Sequence, residues 1–234
     1  MSKESVAVRV LLVSRDIGTI EFLCQHIQPM SMHVETACDS DSGIRKLCHS
    51  KFEGVIIDLA LGQDAFTLLK KVRDLTSHKH AVICVVADTA EQSGEAFRAC
   101  ANFVFSRPLC GPSVVRTLRA SYPMMFRERR RTYRYPIEVA TIVEGDGNSV
   151  AAQSVNISET GMALQSSARF APGSRIRLQL TLPGIATPVN ASGEVCWADE
   201  TGRAGIRFER LPSGITEVLQ TWLSERMAEV VPVH

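Results

Sequence analysis

The stretch RERRRTYRYP, residues 127–136, separates two halves of the chain that follow different patterns. Its first eight residues include five arginines and one acid, in a chain whose formal net charge is +1. Before it, apolar runs alternate with amphipathic segments. After it, short runs with period two are separated by glycine and proline turns. This change of pattern predicts two domains and, between them, a basic segment suited to bind an anion.

Composition narrows the class of protein. With 234 residues, of which 45% are apolar, each half can bury its own core. The near-neutral charge argues against a nucleic-acid binder, which usually presents a broad basic surface. Seven cysteines without a CxxC pair predict buried thiols in a reducing cytoplasm, rather than disulfides or a zinc site. No apolar run reaches membrane-span length and residues 1–6 lack a signal pattern, so we expect a soluble cytoplasmic protein without metal.

Residues 1–122 predict five consecutive strand–helix pairs. The strand patterns are VAVRVLLV, HVETA, GVIID, AVICVVA and NFVF, and helical spacing follows each of them. Such alternation predicts a doubly wound α/β domain with a parallel sheet covered on both faces. Ligand chemistry in this architecture lies at the carboxyl ends of the strands. Pro123 is expected to end the last helix.

The strand ends resemble those of a response-regulator receiver domain. Asp16 follows the first strand, Asp58 ends the third, and Pro108 follows the fifth. The resemblance covers nearly the whole of residues 1–122 and makes Asp58 the candidate phosphoacceptor. It also implies a surface over about residues 93–120 that serves either dimerisation, which would make the protein a homodimer, or the docking of a partner.

Four residues depart from the receiver pattern. Ser14 and Arg15 replace the acidic pair that helps to hold Mg²⁺ in the family, Val86 replaces a hydroxyl residue, and Arg107 replaces a lysine. Mg²⁺ prefers carboxylate oxygens, and phosphoryl transfer depends on the metal. We therefore predict a pseudo-receiver in which Asp58 pairs with Arg15 or Arg107, with a working phosphoacceptor as the alternative.

The second half predicts an antiparallel barrel. YPIEVATIV and VAAQSVNI flank the turn sequence EGDGNS, and MALQS, RIRLQLTL, VNASGEVCWA and AGIRFERL follow with further turns. SGITEVLQTWLSERMAEV closes the chain as an amphipathic helix. We assign residues 123–134 to an arginine-rich hinge and residues 135–234 to the barrel domain with its helix.

Two motifs in this half resemble those of the PilZ family. RxxxR occupies residues 130–134 and NxSxxG occupies residues 156–161, with GEVCW and GIRF downstream. Each motif alone is weak, but their order and the strand pattern around them extend the resemblance over about residues 126–228. The resemblance implies a six-stranded PilZ barrel that binds cyclic di-GMP. The candidate binding residues are Arg129, Arg130, Arg131, Arg134, Asn156, Ser158 and Gly161.

The resemblance implies a role for most of these residues. Arg130 and Arg134 should be the principal ligands, because a guanidinium group can contact phosphate or the guanine O6 and N7 and can stack on a base. Asn156 and Ser158 should contact a guanine edge or a phosphate. Gly161 should allow a turn or a close approach of the backbone.

Arg129 immediately precedes the RxxxR motif. In the family, an arginine at that position accompanies two intercalated ligand molecules per site. We therefore expect two molecules of cyclic di-GMP per barrel. The arginine run could instead be a solvated linker, and NISETG could be only a hairpin turn. We expect Trp197 in the barrel core rather than as a stacking platform, with the alternative that its indole lines the ligand surface. We expect Trp222 in the packing of the last helix.

Together these features predict a non-catalytic cyclic di-GMP receptor or adaptor that signals by domain rearrangement and protein contacts. The resemblance implies an unidentified protein partner, such as motility, pilus or exopolysaccharide machinery. It implies neither nucleic-acid binding nor membrane insertion, and no catalytic residue, metal site or cofactor is expected. The alternative function is a phosphorylation-responsive regulator that uses Asp58.

Overall fold

The computed structural model describes residues 7–145 and 147–230 of the chain. These residues form two compact units, whose boundary in the sequence lies between Arg129 and Arg130. We call them the first unit and the barrel unit. Residues 1–6, examined above for a signal pattern, and Asp146, in the predicted EGDGNS turn, lie outside the described residues. Within those described, no helix is long and apolar enough to cross a membrane.

The first unit is a doubly wound α/β fold. Its strands are β1 Val8–Val13, β2 Met32–Ala37, β3 Gly54–Asp58, β4 Val82–Ala87 and β5 Phe103–Ser106. Its helices are α1 Ile17–Ile27, α2 Ser40–His49, α3 Gln63–Asp74, α4 Ala90–Arg98 and α5 Gly111–Thr132, which extends past the boundary. The strands are parallel in the order β2-β1-β3-β4-β5. This strand order is the one found in receiver domains, and the predicted fold is confirmed.

The central strands explain the continuous apolar runs in the sequence. Every residue of β3 and β4 is buried, because helices cover both faces of the sheet. Within β3, Val55 and Ile57 belong to one core cluster and Ile56 to the other. The alternation of side chains along a strand therefore fills two cores at once.

Helix α5 does not end at Pro123 as the sequence predicted. It continues to Thr132, with Pro123 inside it. Beyond the proline, Met125 is fully buried in a core cluster and its side chain packs on Gly54. The rings of Tyr122 and Phe126 stack with centroids 5.8 Å apart. Packing against the sheet thus offsets the hydrogen bond that proline removes from the helix.

The barrel unit contains six strands that close on themselves. They are β7 Ala140–Gly145, β8 Asn148–Ser158, β9 Gly161–Gln165, β10 Arg175–Leu180, β11 Val189–Ala198 and β12 Arg203–Arg210. They follow the order β8-β7-β10-β11-β12-β9, and β9 pairs again with β8. The short strand β6, Tyr135–Pro136, adds to the outside of β8. The predicted six-stranded antiparallel barrel is confirmed.

Helix α6, Ser213–Val230, packs on the barrel core through Leu219, Trp222 and Leu223. The indole nitrogen of Trp222 donates a hydrogen bond to the carbonyl oxygen of Pro183 (2.9 Å). The ring of Tyr135 meets the Trp222 ring edge to face at 5.4 Å. The prediction that Trp222 packs the last helix against the barrel is confirmed.

Candidate functional site

The NxSxxG motif forms a tight hairpin between β8 and β9. Ser158 ends β8, Gly161 begins β9, and the turn consists of Glu159 and Thr160. The Ser158 hydroxyl donates a hydrogen bond to the Gly161 carbonyl oxygen (3.1 Å) and accepts one from the Thr160 amide (3.3 Å). Ser158 is buried. Its hydroxyl therefore fixes the shape of the turn.

Gly161 is required by the approach of a neighbouring strand. A Cβ atom at this position would lie 2.2 Å from the carbonyl oxygen of Ile206 on β12. No real side chain tolerates that distance, and the obstructing atom belongs to the backbone. The glycine of the motif thus has a structural reason that does not depend on a ligand.

Asn156 follows a bulge in β8, where the pairing with β9 shifts between Ser154 and Asn156. It lies opposite Ala163 on β9 and Pro136 on β6. Its side-chain Oδ1 is buried and has no hydrogen-bond partner among the described residues. Buried acceptors without donors are uncommon in folded proteins. A guanine edge offers a matching donor in its N2 amino group.

Asn156 begins a row of residues across four strands. Ala163 on β9 pairs with Asn156, Gly205 on β12 pairs with Ala163, and Trp197 on β11 pairs with Gly205. Directly paired residues in antiparallel strands project from the same face. The neighbours of Ala163 and Gly205 along their strands belong to the core, so this row faces outward. Two small residues therefore leave a shelf between Asn156 and Trp197.

Trp197 lies on the outside of the barrel, with 46% of its surface exposed. The prediction that it lies in the core is wrong. A bulge in β11 between Val195 and Trp197 reverses the alternation, so Val195 points inward and Trp197 outward. The indole rests on Gly205, where a Cβ atom would come 2.0 Å from its nitrogen. Trp197 thus presents an aromatic surface at the end of the shelf.

Arg130 contacts the hairpin directly. Its Nε lies 3.0 Å from Oε1 of Glu159, and its Nη1 donates a hydrogen bond to the Ser224 hydroxyl on α6 (3.0 Å). Gln220 on α6 donates to the second Glu159 oxygen (3.5 Å). The structure therefore brings the first arginine of RxxxR to the turn of NxSxxG, where a carboxylate binds it.

Arg131 and Arg134 also lie along the motif. The carbonyl oxygen of Arg131 accepts a hydrogen bond from the Thr160 hydroxyl (3.0 Å). Arg134 is exposed and immediately precedes β6, whose two residues pair with Ile157 and Asn156. Backbone pairing thus fixes the end of RxxxR next to NxSxxG.

Arg129 differs from the other predicted arginines because it belongs to the first unit. It is only 3% exposed, and its Nη1 lies 3.4 Å from Oε1 of the fully buried Glu53. No sequence pattern indicated Glu53, which precedes β3, as the partner of Arg129.

Two shallow grooves of about 550 and 570 Å³ lie on the outer face of β7, β10 and β11. Arg177, Glu144 and Ser192 line both of them. Neither groove contains a residue of the two motifs. These two grooves are therefore distinct from the predicted site.

The pocket at the carboxyl ends of β3 and β5 is filled by Arg107. Its guanidinium donates to both oxygens of Asp58, at 3.2 Å to Oδ1 and 2.9 Å to Oδ2. The Asp58 carboxylate also accepts from the Ser14 hydroxyl (2.6 Å) and the Ala60 amide (3.1 Å). Asp58 is fully buried. Of the two predicted partners, the structure selects Arg107.

The remaining charged residues of this pocket are also engaged. Asp16 caps α1, and the hydrogen bond from the Thr19 hydroxyl (2.6 Å) is the main cause that lowers the pKa of Asp16 below its usual value. Arg107 lies 3.8 Å from Asp16 and 3.6 Å from Asp88. Within the described ranges, no group of three or more His, Cys, Asp or Glu side chains is arranged to hold a metal.

These features define a receiver-like domain followed by a barrel-type binding domain. Residues 128–225 match the family model described as the PilZ domain, and the chain therefore carries a PilZ domain at these residues. The predicted combination of receiver-like and PilZ domains is confirmed. A search of curated proteins gave no match.

Solved structures with similar folds include chemotaxis and regulatory proteins. CheY4 of Vibrio cholerae is 22% identical, with a TM-score of 0.45 over 49% of this chain and 98% of that one. A CheY-like receiver domain protein of Methanospirillum hungatei is 19% identical, with a TM-score of 0.46 over 52% and 98%. The Bacillus subtilis inhibitor of motility (MotI/DgrA) is 19% identical, with a TM-score of 0.37 over 43% and 52%. The receiver-like assignment rests on the strand order rather than on these values.

Proposed function

We propose that this protein is a cyclic di-GMP receptor whose ligand binds the outer face of the barrel beside NxSxxG. The observation that carries the proposal is the contact of Arg130 with the NxSxxG turn in a PilZ domain. Arg134 precedes the strand that pairs with the same motif. Arginine residues thus reach the surface on which Asn156 has an unsatisfied acceptor.

Ligand binding would replace the carboxylate that contacts Arg130 with a phosphate of the ligand. Arg130 is held by the Glu159 carboxylate, and the two side chains are 20% and 9% exposed. A ligand phosphate offers the same guanidinium a bidentate, charge-assisted contact. Arg134, which is exposed, supplies a second guanidinium. Because Arg130 also bonds Ser224 on α6, its transfer to a phosphate would change a contact of the C-terminal helix.

The shelf between Asn156 and Trp197 accommodates the bases. Asn156 Oδ1, which is buried in the free protein, can accept from the N2 amino group of guanine once ligand binding exposes it, and adenine lacks that group. The exposed face of Trp197 can pack against a purine ring, and the small side chain of Ala163 leaves room between Asn156 and the indole, which lies over Gly205. The site therefore favours a guanine dinucleotide over its adenine counterpart.

Titration of the full chain with cyclic di-GMP tests the proposal. We expect saturable binding accompanied by a change in the fluorescence of Trp197, and much weaker binding of cyclic di-AMP. Arg134→Ala should weaken binding about 10-fold or more, since a hydrogen bond to a charged group contributes about 1.5–3 kcal/mol. Arg130→Ala together with Arg134→Ala should abolish it.

Arg177→Ala is the matched control. Arg177 is an arginine of the same barrel, 79% exposed at its side chain, and its acidic neighbour Glu144 is 4.0 Å away. This variant should bind as the unaltered chain does. Unchanged binding in the Arg130 and Arg134 variants would contradict the proposed site.

The proposed function also includes the number of ligands, the protein partners and the location of the protein. We propose two ligand molecules per barrel when Arg129 joins the site, and a non-catalytic adaptor that passes its signal to a protein partner. Motility, pilus and exopolysaccharide machinery are the candidate partners, and residues 93–120 are the candidate homodimer surface. All seven cysteines are free, but only Cys84 is buried and five are exposed, so the prediction of buried thiols is wrong for those five. Free thiols without a CxxC pair support a cytoplasmic location.

The alternative, phosphorylation at Asp58, is disfavoured by the Arg107 guanidinium on both of its oxygens. We expect no added phosphoryl group by intact-mass measurement after incubation with acetyl phosphate and Mg²⁺. A stable phosphoryl adduct that disappears in Asp58→Ala would instead establish the alternative.

A further inference from the structure

Two neighbouring residues of the arginine run form ion pairs with the segment that immediately precedes β3. Glu128 pairs with Lys51 at 2.9 Å, and Arg129 pairs with Glu53 at 3.4 Å. All four residues lie in the first unit. The order of charges is reversed between the two segments, so each pair is complementary. The contact therefore fixes this part of α5 in one register.

The Arg129–Glu53 pair is buried on both sides. The two side chains are 4% and 0% exposed. The second Glu53 oxygen accepts a hydrogen bond from the backbone amide of Arg9 at 2.8 Å. Burial raises the pKa of the Glu53 carboxyl, while the charge of Arg129 opposes that shift. Glu53 is therefore held in place and depends on Arg129 for its counter-charge.

We propose that Glu53 competes with the phosphates of cyclic di-GMP for Arg129, so that the first unit regulates ligand binding. The inference rests on the proposed function. While Glu53 binds Arg129, the ligand site has Arg130 and Arg134 but lacks the arginine that precedes them. The arrangement gives the receiver-like unit a role that requires no phosphorylation: it withholds one guanidinium from the site.

Competition of this kind is reciprocal. A ligand that gains Arg129 must break its contact with Glu53, and a change that weakens that contact must strengthen ligand binding by the same factor. We expect the first ligand molecule to bind with Arg129 still at Glu53. The second molecule, which adds two phosphate charges, would require its release.

Glu53→Gln in the full chain tests the inference by isothermal titration with cyclic di-GMP. The amide keeps the shape of the side chain but removes its charge, so the ion pair between Glu53 and Arg129 is lost. We expect the overall affinity to rise on the order of 10-fold, with more ligand bound per chain. Arg129→Met added to this variant should remove the gain.

Glu35→Gln is the matched control. It removes the same charge from the same unit, where Glu35 pairs with Arg9 and Lys46. It should bind as the unaltered chain does. If Glu53→Gln and Glu35→Gln bind alike, the competition does not exist, although the proposed function stands. If neither the variants nor the unaltered chain binds cyclic di-GMP, the proposed function itself is wrong.

A second measurement covers the case in which Glu53→Gln folds poorly. In the unaltered chain, the Arg9 amide donates to the Glu53 carboxylate. Ligand that draws Arg129 away should alter the hydrogen exchange and chemical shift of that amide. An Arg9 amide that does not respond at saturating ligand would overturn the inference.

Discussion

Arg107→Ala is expected to lower the free energy of unfolding of the first unit by about 3 kcal/mol. The substitution leaves the buried Asp58 carboxylate without its bidentate partner. Removing one member of a buried ion pair costs roughly 3–5 kcal/mol, because the remaining charge stays out of water. The Arg107 side chain is 21% exposed, which places the expected loss at the lower end of that range.

Urea denaturation followed by circular dichroism measures this effect. The helical signal reports mainly on the first unit, which contains α1–α4 and most of α5. Arg15→Ala is the control: the Arg15–Asp64 pair spans 3.5 Å with both side chains about 60% exposed, and its loss should change stability by less than about 1 kcal/mol.

Asp58→Asn combined with Arg107→Ala should recover much of the lost stability. The double variant removes both charges, so no unpaired carboxylate remains buried. If it is as unstable as the sum of the single variants, the guanidinium acts through packing alone and not by neutralising Asp58.

The receiver-like fold could be predicted because its signals are regular. GVIID is apolar up to its final Asp58 and AVICVVA is apolar throughout, a pattern typical of strands buried on both faces. The filled pocket could be predicted in part. The sequence indicated that Arg15 or Arg107 pairs with Asp58, but only the positions of the strand ends decide between them.

The bulges of the barrel could not be predicted. Trp197 stands two residues after Val195, which in a regular strand would place both side chains on one face. One extra residue, Cys196, sends the tryptophan outward. The bulge between Ser154 and Asn156 likewise turns the Asn156 side chain to the opposite face of β8 from Ser154. A bulge depends on pairing with a distant strand, and nothing in the local sequence marks it.

The burial of Arg129 could have been predicted from the helical periodicity of α5. Buried residues of α5 occur at Val114, Leu118, Ser121 and Met125, with spacings of three and four, and then at the adjacent Glu128 and Arg129. If this helical period is continued through Pro123, it places Arg129 on the same buried face of α5 as Leu118 and Met125. Because Pro123 was expected to end the helix, its continuation to Thr132 was not predicted. Its partner Glu53, 76 residues earlier, could be identified only from the fold.

Gly161→Ala is expected to destabilise the barrel unit by about 2–3 kcal/mol, near the upper end for overpacked substitutions. The new methyl group would lie 2.2 Å from the Ile206 carbonyl oxygen and 3.3 Å from the Arg207 Cα. These are backbone atoms of β12, so no rotamer change relieves the contact. Strands β9 and β12 must separate at the residue where Gly161 pairs with Arg207.

Tryptophan fluorescence during urea denaturation isolates this effect, because both tryptophans of the chain lie in the barrel unit. Gly214→Ala is the control: a Cβ atom there meets no atom within 4 Å, so stability should be unchanged or slightly higher. The same variants separate packing from ligand contact at Gly161. If Gly161→Ala keeps its stability but loses cyclic di-GMP, the glycine serves the ligand directly. If stability and binding fall together and low temperature restores both, the glycine acts by letting β12 approach and so holding the NxSxxG hairpin in its binding shape.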